Sequence, residues 1–445
     1  MRGNSSTPMA RLGRRLIPAL MPAILALAVF APAAGAAPPT PETDPFYKYS
    51  GPKPLAQIAP GTVLKTRTFS YRPIGVLAPA KAIQLLYRST SALGEPTVNV
   101  TTVLEPAAAL GTPSVIAYGS FYDSLKPADE PSYSLQGGPT AGGRFDQLET
   151  AIIGVLLLTG RTVVVADTEG ENADFAAGPE YGRNTLDSLR AVLASPATGL
   201  AGTKGIGLLG YSGGAIAAEW AAELAPTYAP DINSKLVGAA IGGVLVDPAH
   251  NLHYIEGSSS WDGLMMMALI GVSRAFHVDL TPYFSEFGKQ LFAKLKAASI
   301  NAVLGAYSGL TWAQIAKPEY PTPESVPPYV KIVNRLIMGT GGVPTVPFLI
   351  DQGAFGELEG TAGNKPGIGE GDGVMVAGDV RSLARQYCAH GLKVQYDQYP
   401  LAHLTTALTW LSNSLGWLAG RFAGNAAPQN CGSIEAGNPL TPIAE

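Results

Sequence analysis

The sequence predicts an α/β fold: a mostly parallel sheet with helices on both faces, interrupted by an inserted helical cap or lid. Three observations carry this reading. Early strand-like segments give way to alternating strand and helix patterns, the order that builds a helix-covered parallel sheet. A pentapeptide rich in glycine, Gly210-Tyr211-Ser212-Gly213-Gly214, joins one of those strands directly to a helix. The alternation then stops over residues 247–341, where helical stretches occur without a convincing strand.

Taken in order, residues 1–36 read as a cleavable export signal. Arg2, Arg11, Arg14 and Arg15 form a basic leader without an acid, Leu16–Ala33 is apolar, and Ala34-Gly35-Ala36 supplies small residues for cleavage near Ala36. Pro18, Pro22 and Pro32 oppose the alternative of an uncleaved anchor helix. The expected location is therefore secreted or in the cell envelope. Cys388 and Cys431 are the only cysteines, and an oxidising compartment permits them to pair; two buried thiols are the alternative.

Residues 37–246 are read as the first part of the core and 342–445 as the second, with the cap between them. A Pro-rich arm over 37–60 precedes three strands, Thr62–Tyr71, Ala82–Ser91 and Thr97–Leu104, rich in Thr, Val and aromatics. Strand Ser114–Ala117 follows, then helix Arg144–Leu158, strand Thr162–Ala166, helix Asn184–Ala194, strand Gly205–Leu209, helix Gly213–Leu224 and strand Leu236–Val246. Within the insertion, Leu264–Ala275 and Phe284–Ala298 are helical. Strand character returns at Val346–Ile350 and Leu392–Tyr396, with helices Val380–Ala389 and Leu404–Phe422. In the last helix Leu404, Leu408, Leu411, Leu415, Leu418 and Phe422 recur at three- and four-residue steps and predict one buried face. Gly391 is placed to cap the helix before it. No internal repeat is found.

Composition excludes several function classes. Of 445 residues 46% are apolar and only 14% charged, with a net charge of −4 and no long run of one sign. A nucleic-acid binder needs a basic stripe and a coiled coil needs dense charge at helical spacing; neither is found. Without the leader, 26 basic side chains face 34 acidic ones. The charge shortage is partly local. Residues 298–316 carry no charged side chain, and 257–273 carry only Asp262, beside Met265, Met266 and Met267. These stretches read either as the cap's own core or as an acyl tunnel or lipid-facing surface, for which adaptable Met is suited. Their Gly, Ser, Asn and Gln oppose a membrane span.

The pentapeptide fits G-x-S-x-G, in which a sharp strand-to-helix turn lifts a nucleophilic Ser above the sheet. Small flanking residues avoid clashes in that turn, and the helix N-terminus supplies backbone donors for an oxyanion. The overlapping Gly205-x-Gly207-x-x-Gly210 imitates a dinucleotide cradle, but those glycines would have to follow a strand, and none precedes Gly205. Ser212 as nucleophile needs an imidazole to take its proton and a carboxylate to orient that imidazole, in the chain order Ser, acid, His. His403 follows the last strand and opens the final helix, the expected position; His390 ends a helix and has a structural reading. His250, His253 and His277 fall at or inside the insertion, where pocket lining or surface roles suit them. Among Asp351, Asp372, Asp379 and Asp397, the loop residue Asp372 is favoured, with Asp351, at the end of its strand, the rival. The cysteines and histidines show no metal-ligand spacing.

With these residues in place the chain resembles the secretory lipase family of α/β-hydrolases, the yeast lipase A type of triacylglycerol lipase. Asp44-Pro45-Phe46-Tyr47 and Pro60-Gly61-Thr62-Val63-Leu64 resemble its N-terminal arm, and Gln84 to Thr90 through Glu105-Pro106 its early strands. Asp167-Thr168-Glu169-Gly170 resembles the loop before its nucleophile turn, and Cys388, Gly391 and His403 its C-terminal pattern. The resemblance implies an exported serine ester hydrolase with Ser212, Asp372 and His403 as triad. It also implies an oxyanion site from the backbone N–H groups of Asp123 and Gly213, which no residue pattern by itself would assign. It implies no metal and no organic cofactor, and a lipid or other acyl ester as substrate, taken in solution or at a lipid–water interface. Acyl transfer, or carboxylesterase action on short-chain or non-lipid esters, is the alternative on the same site. A non-enzymatic surface protein on this fold is opposed by the intact Ser, acid and His.

Overall fold

The computed structural model describes residues 37–71, 80–109 and 113–444; the leader expected over residues 1–36 lies outside them. Nine strands form one sheet: β1 (Val63–Tyr71), β2 (Ala80–Thr90), β3 (Pro96–Glu105), β4 (Ser114–Gly119), β5 (Thr162–Ala166), β6 (Gly205–Tyr211), β7 (Leu236–Gly242), β8 (Phe348–Gly353) and, after a small hairpin of β9 (Asn364–Lys365) and β10 (Gly369–Glu370), β11 (Val394–Tyr399). Their order across the sheet is β1-β2-β3-β5-β4-β6-β7-β8-β11. The first four neighbours pair antiparallel, and everything from β5 to β11 is parallel. The inner parallel strands are mostly apolar runs, and Thr162–Ala166 is buried along its whole length because helices cover both faces, whereas the edge strand β11 is polar and partly exposed.

The longer helices are α1 (Arg144–Leu158), α2 (Gly178–Ala194), α3 (Gly213–Tyr228), α4 (Pro248–Ile255), α5 (Gly263–Ala275), α6 (Glu286–Leu295), α7 (Pro327–Val333), α8 (Ala377–Ala389) and α9 (His403–Phe422). Helices α2, α3 and α8 pack on one face of the sheet, where Ile206, Leu208, Trp220 and Tyr387 share a core. Helices α1 and α9 cover the other face, and their core runs on into α4 to α7. Those four helices all lie between β7 and β8 in the chain. The N-terminal arm closes over the antiparallel end, with Tyr47 against Leu86, Val98 and Val100.

Helix α9 packs across β6, β7 and β8 because small residues there leave room for it. A Cβ on Gly238 would stand 2.6 Å from the Trp417 ring, and one on Gly242 would stand 2.7 Å from that of Trp410. The buried side of α9 is therefore Thr406, Trp410, Leu411, Ser414, Trp417 and Leu418. The expected leucine stripe is only half right: Leu411 and Leu418 are buried, while Leu404 and Leu408 are exposed. Two tryptophans set the rotation of the helix, since filling the glycine recesses buries more apolar area than a flank of leucines would.

Other expectations need adjusting at their ends. Strand β7 stops at Gly242 rather than Val246, because Gly243 turns out with φ +56°. Strand β8 runs on to Gly353, so Asp351 lies inside it rather than at its end. Helix α2 begins at Gly178, six residues earlier than its apolar pattern. Gly391 does cap α8, with φ +85° and its N–H on the Cys388 carbonyl at 2.9 Å. Met265, Met266 and Met267 are buried, which removes the reading that they face a lipid surface. In residues 298–316 the apolar Ile300, Val303, Leu310, Trp312 and Ile315 are buried, and uncharged small residues face outward.

Cys388 and Cys431 form a disulfide with Cα atoms 5.7 Å apart, closing 43 residues of chain. Beyond it the C-terminal segment lies along α8, where Arg385 donates to the Ile434 carbonyl at 2.6 Å and Ser382 to that of Asn438 at 2.5 Å. Replacing both cysteines by Ser is expected to lower stability by about 2–4 kcal/mol, read from denaturant midpoints. The same loss in reduced wild-type protein checks that the bridge, and not the serines, is responsible.

Candidate active site

The site forms at the C-terminal end of the parallel strands. Ser212 sits between β6 and α3 with φ +55° and ψ −124°, a region that a side-chain-bearing residue rarely adopts. The turn is possible because two backbones nearly touch. A Cβ on Gly214 would collide with the Gly119 carbonyl of β4, and one on Gly210 with the Gly214 carbonyl. Of the two outer glycines of G-x-S-x-G, Gly214 is thus required by β4 and Gly210 by the turn itself. The Ser212 N–H donates to the Gly242 carbonyl at 2.9 Å, which ties the turn to β7.

His403 Nε2 lies 2.8 Å from Ser212 Oγ, and His403 Nδ1 lies 2.8 Å from Asp372 Oδ2. All three side chains are buried, Ser212 the least at 9% exposure. The Asp372 carboxylate also accepts from the N–H groups of Val374 (3.1 Å) and Met375 (2.7 Å) and from Gln352 Nε2 (3.0 Å). His403 is further located by its own N–H, which donates to the Asp372 carbonyl at 2.8 Å, and by Tyr211, whose hydroxyl donates to the His403 carbonyl at 2.5 Å. Burial alone would depress the imidazole pKa, but the charge and hydrogen bond of Asp372, with Glu359 and Asp123 beyond, raise it above its ordinary value.

The rival acid goes elsewhere. The Asp351 carboxylate is buried against α9 and accepts from Asn413 Nδ2 at 2.9 Å; burial pushes it up to about 7. Asp379 meets His250 and Asn438, and Asp397 meets Gln395. His250 and His253 bind Asp379 and Glu324, and neither they nor His277 line the cavities at Ser212. His390 caps the end of α8.

Asp123 and Gly213 are adjacent, since a Cβ on Gly213 would collide with the Asp123 carboxyl. Asp123 also has positive φ, +39°, and neither its N–H nor that of Gly213 has an acceptor among the described residues. The loop carrying Asp123 hangs on buried acids. Glu149 of α1 accepts from the Phe121 N–H (2.8 Å) and from the hydroxyls of Ser120 (2.7 Å) and Tyr118 (3.0 Å). Glu169 accepts from the Ser124 N–H at 3.2 Å. Burial pushes Glu149 up to about 7 and raises Glu169 well above the usual carboxylate range. Burial likewise brings Asp123 to about 7, with His403 opposing.

Two cavities meet at Ser212. One, of about 90 Å³, is largely apolar, with walls from Ile216 of α3, Leu252 of α4, Leu264, Met265 and Ala268 of α5, and Val333 of α7. The other is an open cleft in which Phe121, Leu148, Ile300 and Leu404 surround Ser212 and His403. Sequence reading did not find Gln352, Tyr211 or Glu149. Each acts through contacts with residues distant in the chain, and no local motif marks them.

The secretory lipase family model matches residues 137–365, slightly more than half of the chain. The chain belongs to the secretory lipase family. Among curated relatives, Lipase 4 of Candida albicans is 31% identical over 416 residues, covering 89% of this chain and 85% of that protein. A probable inactive lipase of Mycobacterium tuberculosis is also 31% identical, over 86% and 83% of the two chains. Among solved structures, Candida antarctica lipase A in its closed state superposes with a TM-score of 0.77 at 26% identity, covering 92% of this chain and 93% of that one. This secretory lipase is thus a carboxylic ester hydrolase of α/β-hydrolase fold. Family membership and the disulfide together point to export.

The buried acids give this lipase a pH-dependent stability. Their folded-state pKa values lie above the unfolded ones, so the folded chain keeps protons that the unfolded chain releases above about pH 4.5. Stability therefore falls as pH rises from about 4.5 to 7, and the melting temperature is expected to be lower at pH 8 than at pH 5. Glu149, displaced from 4.5 to about 7, contributes on the order of 3 kcal/mol to that difference. Glu149→Gln should remove its share, read as a flatter dependence of melting temperature on pH.

Proposed function

We propose that the protein hydrolyses acyl esters of lipid type through Ser212, His403 and Asp372, with the N–H groups of Asp123 and Gly213 holding the oxyanion. The observation that carries this is the unbroken hydrogen-bonded line Asp372 Oδ2, His403 Nδ1, His403 Nε2, Ser212 Oγ, with both links at 2.8 Å. Ser212 Oγ attacks the ester carbonyl while His403 Nε2 takes its proton, and Asp372 steadies the imidazolium that results. The carbonyl oxygen turns toward two N–H groups that have no other acceptor among the described residues, and they stabilise its charge as it forms. The neighbouring Asp123 carboxyl, raised to about 7 by burial, is protonated in mildly acid solution and then sets no like charge beside the oxyanion. His403 returns the proton to the alcohol, which leaves, and water attacks the acyl-enzyme by the same route. These steps draw on the chain's own groups.

The apolar cavity between these helices is where we place the acyl chain. Its walls come from α3, α4, α5 and α7 and are mostly apolar, with Asn251 and Tyr329 among them, so an acyl chain there exchanges water for methylene contacts at about 0.8 kcal/mol per carbon. Residues 247–341 then act as the cap that encloses it, and residues 1–36 as the leader removed on export. The open cleft on the other side of Ser212 suits the departing alcohol.

Two sets of variants test this. Ser212→Ala is expected to lower kcat by about 10⁴–10⁶, and Asp372→Asn by about 10⁴, while Asp351→Asn changes it by less than about tenfold. Hydrolysis of p-nitrophenyl esters measures all three, and equal losses for Asp372 and Asp351 would displace Asp372 as the orienting acid. Ala268→Trp fills the cavity and should lower kcat/KM on long-chain esters by about tenfold or more while leaving acetate esters nearly unchanged.

A further inference from the structure

Eight large apolar side chains are exposed among the described residues, and four of them gather in one place. Phe355 and Leu358 lie on the turn that follows β8, and Leu404 and Leu408 are one helical turn apart on the outer side of α9. Hydrogen bonds hold the two pairs together: the Phe355 N–H donates to the Leu401 carbonyl at 3.1 Å, and the Leu404 N–H donates to Glu359 Oε1 at 2.8 Å. Leu404 also lines the open cleft with Ser212 and His403. The patch is therefore the outer rim of the site itself, continuous with the cleft wall.

Its charge is one-sided. Residues 354–360 and 401–409 contain Glu357 and Glu359 and no lysine or arginine. The two acids oppose an anionic surface, whereas the four exposed apolar side chains suit an uncharged one. We propose that the collar of Phe355, Leu358, Leu404 and Leu408 seats the protein on an uncharged acyl-ester surface, such as a triglyceride droplet, with the Ser212 cleft facing it. This rests on the reading that the cleft hydrolyses acyl esters. It places the lipid-facing surface on the core side of the cleft, not on the methionines of α5.

The test reads adsorption apart from turnover. In the Ser212→Ala protein, Leu358→Ser with Leu408→Ser should lower partitioning onto triolein droplets by about tenfold or more, since each exposed leucine loses its burial in the oil. Leu358→Phe with Leu408→Phe should keep partitioning near the parent level. In the active protein the Ser pair should leave hydrolysis of soluble p-nitrophenyl acetate within about twofold, because neither leucine lines a cavity. Unchanged partitioning would overturn the proposal. So would an equal loss from the control pair Leu93→Ser with Leu158→Ser, or binding to phosphatidylserine vesicles as tight as to triolein. Partitioning that is unchanged while the Ser pair converts a dimer to a monomer would reassign the collar to self-association. Absence of hydrolysis by the wild type on both soluble and emulsified esters would instead strike the functional reading, and the partitioning result would stand apart from it.

Discussion

The near-contact between the Gly119 and Gly214 backbones is the constraint on which the site depends. It lets β4 and the start of α3 close on each other beside β6, so the chain at Ser212 must turn within one residue and take a positive φ. That turn fixes where the hydroxyl stands and leaves the Gly213 N–H, at the head of a helix, without an acceptor among the described residues. The same approach brings the loop after β4 against the turn, which sets Asp123 beside Gly213. Any side chain at 119, 210 or 214 would push these parts away from each other, and a displacement of an ångström at such a site is costly in rate.

The loop after β4 is held by acids, an unusual choice in a chain so short of charge. Glu149 and Glu169 accept N–H and hydroxyl donors from residues 118–124, and Asp167 accepts both the N–H and the hydroxyl of Ser132 at 2.8 and 2.5 Å. Glu130 is buried beside Asp167, and burial first, then its neighbour's charge, raise its pKa well above normal. A carboxylate left alone at such depth would be strongly unfavourable; each is tolerated because it carries a proton or satisfies several donors. The arrangement gives the loop directional bonds in place of apolar packing, and the Asp123 N–H is left without an acceptor among the described residues.

The charge shortage divides into parts with separate physical meanings. Small uncharged residues cover much of residues 298–316, and the methionines of α5 are buried in the core that α4 to α7 share with α1 and α9. One wall of that core is left incomplete as the cavity behind Ser212. Four of the eight large apolar side chains exposed among the described residues stand at the rim in front of it.

What could be read from the sequence was whatever the chain encodes locally. The strand–helix alternation, the glycine spacing around Ser212 and the position of His403 after the last strand all follow from steric and periodic rules that act over a few residues. The choice between Asp372 and Asp351 was legible only as a preference, because it turns on which side of β8 a carboxylate points and on a partner, Asn413, far along the chain. The rotation of α9 was misread since its leucines outnumber its tryptophans, yet the recesses at Gly238 and Gly242 accept the rings of Trp417 and Trp410. Asp123 carries no motif, and its place beside Gly213 exists only after β4 and β6 pair. Local sequence therefore determined the elements and the turn that carries Ser212, whereas tertiary packing decided that Asp372 meets His403, that Asp123 lies beside Gly213 and which apolar side chains stay exposed, because each of those depends on contacts between segments that meet only in the folded chain.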